Sequence, residues 1–288
     1  MVVWFGCLSA SKRAWAVAVP SSSVFPLTCA SADPLAMMFA PSSVSSVSSA
    51  LSVPLVSPGL LPARSSGAPS AVSEDAAPDG AAPIDASVQC ARTAALAALR
   101  EADPVIKAAA ARGLYDAVRE GRASCAAHLE LVEPADLPGR PARPELVDPR
   151  QLKRRSMQSP QGRAVLLHAL AHIEFNAINL ALDAVWRFSG MPAAFYVDWL
   201  KVAAEEAYHF SLLSVRLAEY GHAYGDFPAH DGLWDMCERT RGDVLARMAL
   251  VPRTLEARGL DASPPIRARL QQAGDQASAA ILDVILRD

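Results

Sequence analysis

The chain predicts an all-α fold, a helical bundle preceded by further helices, on three observations. Its hydrophobic fraction of 51% is weighted by alanine, a residue that suits helices better than sheets. Strand-like alternation of apolar and polar residues is scarce throughout. Residues 162–220 form two long amphipathic runs, parted by a Gly-Met-Pro turn, whose apolar positions recur at helical spacing. At 288 residues the chain suffices for one or two domains.

Residues 1–86 stand apart. They are dominated by Ser, Pro, Ala and Val with almost no charge or sustained period, which predicts a disordered extension, either a targeting peptide or a segment foreign to the natural protein. The apolar stretch after Lys12 and Arg13 is broken by Pro20 and a serine cluster, so a secretory leader is not expected. Folding is expected over residues 87–288. Ala91–Glu101 and Pro104–Val118 read as helices. Six prolines between 134 and 160 then require a largely extended strap, because proline is excluded from helix interiors and biases its predecessor away from them. Its cluster Lys153, Arg154 and Arg155 reads as a solvated face. Ser159 and Pro160 suit the N-cap and first position of a long helix, with Leu167, Leu170, Ile178, Ala181 and Val185 as its stripe. The next helix packs through Trp199, Val202, Leu213 and Leu217, and Gly221 closes it. A third is expected from Leu233 to Arg258, kinked at Pro252, and a fourth from Ser263-Pro264-Pro265 to the end, with Asp231 placed to cap the third.

Ionisable residues interrupt these stripes. Glu174 falls inside the first, and Glu206 and His209 complete the second. An unpaired buried carboxylate costs several kcal/mol, so such groups are protonated, paired or bound to a cation. Glu206 and His209 form Glu-x-x-His, which points both side chains to one side of a helix; with a glutamate on the preceding antiparallel helix, this is half the ligand set of ferritin-like di-iron carboxylate bundles. A buried structural ion pair is the alternative. Glu205, off the stripe and one turn from Lys201, reads as an ordinary surface pair. Glu256 adjoins the third helix's buried row beyond Pro252, and is either a helix-end glutamate in water or a carboxylate turned inward. His230, in a loop that can close over a bundle end, and Tyr208 are candidates for supporting or substrate-side roles. If a second Glu then Glu-x-x-His hairpin follows Glu256 at the same interval of 32, its histidine falls beyond Asp288, so the fourth helix is expected to be incomplete.

Residues 92–288 resemble the DUF455 family of uncharacterised ferritin-like proteins, itself distantly similar to tRNA-modifying di-iron hydroxylases. The blocks PGRPARPELV, SPQGRAVLLHALAHIEFNAINLALD, FYVDWLKVAAEEAYHFSLL, YGDFPAHDGLWDM and RMALVPRTLEARGLD carry the likeness. The resemblance implies a helical bundle in which Glu174, Glu206, His209 and Glu256 match metal-ligand positions, with iron as the metal, manganese as a substitute, and oxygen-dependent oxidation or hydroxylation as the chemistry. It also implies a second Glu-x-x-His that this chain lacks, so reduced or lost activity is expected. Exposure of Leu170, Val202 and Met248 would then favour a homo-oligomer. The competing class is a non-enzymatic helical metal-binding or interaction module.

Composition bounds the partners. Lys plus Arg number 27 against 30 for Asp plus Glu, a net charge of −3 that supplies no basic surplus for RNA; a small-molecule or RNA substrate is left open. The five cysteines, at 7, 29, 90, 125 and 237, show no zinc or disulfide spacing and read as free thiols in a reducing cytoplasm. No run of 18 uninterrupted apolar residues occurs, so no membrane span is expected.

Overall fold

The structure, a computed structural model, describes residues 89–153, 155–251 and 257–288. The expected extension at 1–86 lies outside the described residues, as do Arg154, Pro252 and Glu256. Among the described residues eight helices follow in order: α1 (Ala91–Arg100), α2 (Pro104–Arg119), α3 (Pro160–Arg187), α4 (Ala193–Glu219), α5 (Gly232–Arg239), α6 (Val244–Leu250), α7 (Ala257–Gln272) and α8 (Gln276–Arg287). Among the described residues the only strands are β1 (Gln89–Cys90) and β2 (Ala123–Ser124), paired in parallel. The all-α expectation holds.

The α3–α4 hairpin is the centre. Ser159 caps α3 by accepting the Gly162 N–H at 3.0 Å, and Pro160 occupies the first turn, where its missing N–H is harmless. α1, α2 and α5 pack on α3, while α2 and α8 pack on α4. Every residue from Leu170 to Trp186 is buried, so α3 is enclosed on all sides rather than along one stripe. Length and composition alone would let α3 cross a membrane, with a mean hydropathy of 1.4 over its most apolar window, but 89% of that window is buried inside the fold, as in the core helix of a bundle.

Enclosure leaves the polar groups of α3 dependent on partners inside the fold, and most have one, although Asn176 Oδ1 and Asn179 Nδ2 are buried without a hydrogen bond. At its C-terminus the buried Arg92 donates to the carbonyls of Val185 and Trp186, and also to Ala126, Ala127 and Leu129, so one guanidinium closes the helix end and ties down the chain after β2. Midway, Lys107 of α2 donates to Asn179, to the Leu99 carbonyl at 3.1 Å and to the Gly139 carbonyl of the strap at 2.8 Å. The strap is extended as expected apart from a 3₁₀ turn at Pro149–Gln151, and Lys153 and Arg155 are exposed.

Three expectations are corrected. The helix read from Leu233 to Arg258 is broken at residues 240–243, where Asp243 caps α6 by accepting from Leu245 and Ala246, and buried Arg247 turns back to donate to Thr240 Oγ1 and the Cys237 carbonyl. The fourth helix is also two: α7 runs through Pro264 and Pro265, held by burial of Ile266 and Leu270, and ends at Gln272, and the turn at Gly274 (φ +77°) resets the phase so that Ser278, Ala279, Leu282 and Ile285 are buried on α8. Third, Leu170 and Val202 are buried and Met248 is half-buried, so these residues leave no bare apolar face.

Candidate metal centre

Glu174 lies thirteen residues before the end of α3, and Glu206 thirteen after the start of α4. At 1.5 Å per residue both stand about 20 Å from the hairpin turn, at the same height. One turn past Glu206, on the same face, comes His209. All three are fully buried, flanked along their helices by buried Leu170, Ala171, Ile178, Ala203 and Phe210. One ligand atom from each of Glu174, Glu206 and His209 lies within 4.8 Å of the others. Among the described residues this is the only group of three or more His, Cys, Asp or Glu side chains so arranged.

The two carboxylates stand side by side, one ligand atom of each within 4.8 Å of the other. Two buried carboxylates this close favour a shared proton or a bound cation between them. His209 Nδ1 lies 3.4 Å from Glu206 Oε2, and its Nε2 lies 3.3 Å from Asp288 Oδ2 at the end of α8. A ring held between two carboxylates can offer one nitrogen to a metal while the other N–H remains fixed on its acceptor, the arrangement that orients histidine ligands. Two carboxylates and one imidazole in an apolar wall are a donor set suited to iron, manganese or zinc. The residues present fit a metal.

Glu205 is not the solvated pair its position suggested. Lys201 does bind it at 2.8 Å, but its side chain is only 23% exposed and Oε2 is buried without a hydrogen-bond partner. Burial pushes its carboxyl up, Lys201 pulls it down, and the charges of Asp288 and His209 are felt there too. It stands at the edge of the centre. A helical wheel places it only 100° from Glu206, a rim position that the apolar stripe alone does not reveal. Asp288 gave no local signal either, since its partner is 79 residues away.

Of the other candidates, Tyr208 flanks the centre, its ring centre 6.2 Å from that of His209, while His230 and Asp231 meet other partners. Tyr208 is 40% exposed with Arg112 over its ring. The His230 ring accepts the Gly232 N–H at 3.1 Å, at the start of α5, and its carbonyl meets His172 Nε2 at 3.0 Å. Asp231 stands at the N-cap of α5 but makes no capping bond, because Arg140 takes both its oxygens, at 2.9 and 2.6 Å. Glu256 lies outside the described residues.

The family model described as "Protein of unknown function (DUF455)" matches residues 100–288. An uncharacterized protein of Haemophilus influenzae is 45% identical over 207 residues, covering 66% of this chain and 69% of that relative. No solved structure matches. With a family match across most of the described helices and a relative this similar, the chain belongs to the DUF455 family.

Proposed function

We propose that this chain is a metalloprotein in which Glu174, Glu206 and His209 hold iron for oxygen-dependent oxidation, with Glu256 as a further ligand implied by its sequence block and manganese as the substitute metal. The observation that carries this reading is the convergence of three buried ligand atoms within 4.8 Å, on two helices that have no other reason to bury two carboxylates face to face. Bound iron would supply a redox-active centre able to react with oxygen. The protein's own part is to neutralise the cation with Glu174 and Glu206, to orient the His209 ring through Asp288, and to exclude bulk water with the flanking apolar side chains. A purely structural polar cluster, the competing reading, draws on the same hydrogen bonds.

Metal content decides between them. The purified chain, loaded anaerobically with ferrous iron and desalted, is expected to retain near-stoichiometric iron by inductively coupled plasma mass spectrometry, and Glu206→Ala/His209→Ala to retain almost none. Equal and negligible iron, manganese and zinc in both proteins would overturn the proposal.

A further inference from the structure

Away from this centre, two thiols meet at the entrance to α1. Cys90 is the N-cap residue of α1, and β1 pairs with β2 so that Cys90 stands opposite Ser124, with Cys125 next along the chain. A strand spacing of about 4.8 Å and a rise of about 3.3 Å put the Cys90 and Cys125 Cα atoms about 6 Å apart, inside the span of a disulfide. β2 ends at Ser124, so Cys125 is released from the strand's alternation. The Ala126 amide, joined directly to Cys125, reaches the Cys90 sulfur. Both thiols are free and partly exposed, whereas Cys237 is buried.

We infer that Cys90 and Cys125 form a two-cysteine redox site, in which Cys90 reduces a hydroperoxide and Cys125 resolves the product into an intramolecular disulfide. Their environments divide the roles. Burial raises the Cys90 thiol, but the amides of Thr93, Arg92 and Ala126 and the Thr93 hydroxyl face its sulfur and leave it below its ordinary value, although none makes a strict capping bond. Burial, and then the neighbouring Cys90 charge, raise Cys125, with Arg92 opposing them. Cys90 is therefore the more readily ionised thiol and Cys125 the reserve.

The chemistry balances in two steps. The Cys90 thiolate attacks the peroxide; an S–O bond forms as the O–O bond breaks, the sulfur loses two electrons, and the departing oxygen takes a proton and leaves as water or an alcohol. Cys125 then attacks the sulfenic sulfur; an S–S bond forms as the S–O bond breaks, and the departing hydroxide takes the Cys125 proton and leaves as water. One hydroperoxide is consumed per disulfide. Arg92 already anchors the carbonyls of Ala126, Ala127 and Leu129, so the segment carrying Cys125 is held beside α1 before the bond forms.

The test uses the full chain with Cys7→Ser and Cys29→Ser, so that the two thiols of the N-terminal region do not contribute. One equivalent of hydrogen peroxide, followed by alkylation and peptide mass spectrometry, is expected to remove both Cys90 and Cys125 from the alkylated pool as one cross-linked peptide, leaving Cys237 reduced. In Cys125→Ser, dimedone should trap a sulfenic acid at Cys90, and Cys90→Ser, which keeps a good N-cap, should leave Cys125 unoxidised at the same dose. Iodoacetamide should alkylate Cys90 faster than Cys125 at pH 7, with its rate persisting to lower pH. A chain in which Cys90 is oxidised no faster than Cys237, or in which the cross-link joins two molecules, overturns the inference.

Discussion

Asp183 and Glu206 are both fully buried, yet their neighbours differ in sign. Asp183 faces Arg247 at 2.6 Å and Arg187 at 2.8 Å, and also accepts from Trp186 and Cys237; Arg247 is itself wholly buried. Removing the carboxylate strands that guanidinium in the core. Asp183→Asn is expected to cost about 3–5 kcal/mol, read as a lower urea midpoint at unchanged slope. Glu206 sits beside another carboxylate and the His209 ring, a cluster whose paired negative charges a bound metal would offset. Glu206→Gln keeps the shape and hydrogen bonds but removes that charge. The metal-free variant should therefore lie within about 1 kcal/mol of the parent or above it. It should also lose the gain of about 2.7 kcal/mol that the parent shows when metal is present at a hundred times its dissociation constant. A metal-free Glu206→Gln as damaged as Asp183→Asn would identify Glu206 as a structural partner instead.

The strap is pinned tightly where it crosses the ends of α1 and α2. Gly139 donates its N–H to the Leu99 carbonyl at 2.9 Å and lends its own carbonyl to Lys107. A Cβ there would stand 2.0 Å from the Arg100 carbonyl oxygen, which is backbone and cannot swing aside. Gly139→Ala should therefore destabilise by about 2 kcal/mol or more in a urea titration, whereas the same change at Gly113, with nothing nearby, should be neutral or stabilising. Which elements were legible follows from the range of their signals. α1 to α4 announce themselves through local features: Pro104, Ser159-Pro160, Gly-Met-Pro and Gly221 mark their ends, and the 3.6-residue period marks their faces. Glu174, Glu206 and His209 were legible for the same reason, since each breaks a stripe that local spacing defines. The break before α6 was not, because it depends on Arg247 folding back onto α5, and the passage of α7 through two prolines depends on packing at Ile266 and Leu270. Glu205 and Asp288 join the centre's edge through contacts between α4 and α8, which local spacing does not encode.

For the molecule as a whole, two histidines on α3 tie stability to pH. His168 and His172 are buried under the loop at 221–231: Tyr224 stacks on His168 with ring centres 5.4 Å apart and meets His172 Nδ1 at 3.0 Å, and the Gly225 N–H donates to His168 Nε2 at 2.9 Å. Burial lowers both imidazoles from 6.5 to about 4, with the remaining charges of the loop and of Arg140 making smaller contributions. Between those values the unfolded chain binds more protons than the folded one, so stability rises with pH. It is complete above pH 6.5, falls as the pH drops toward 4, and loses nothing further from these groups below that. Each shift corresponds to roughly 3 kcal/mol. Asp275 adds the opposite kind of group: its carboxyl, penalised by burial but bonded by Ser278, Tyr220 and Arg216, is held at about 2, so its contribution is lost only below pH 4. The two windows separate cleanly. Urea midpoints should hold from pH 8 to about 6.5 and then fall toward pH 4 for the parent chain, and His168→Gln, which cannot acquire the charge, should roughly halve the decline. Amide exchange at Gly225 locates the event, because a protonated His168 Nε2 turns that acceptor into a second donor facing the same N–H. Accelerated exchange there, ahead of global unfolding, is the expected result, and unchanged exchange through the whole window would mean that the histidines do not govern the acid limb.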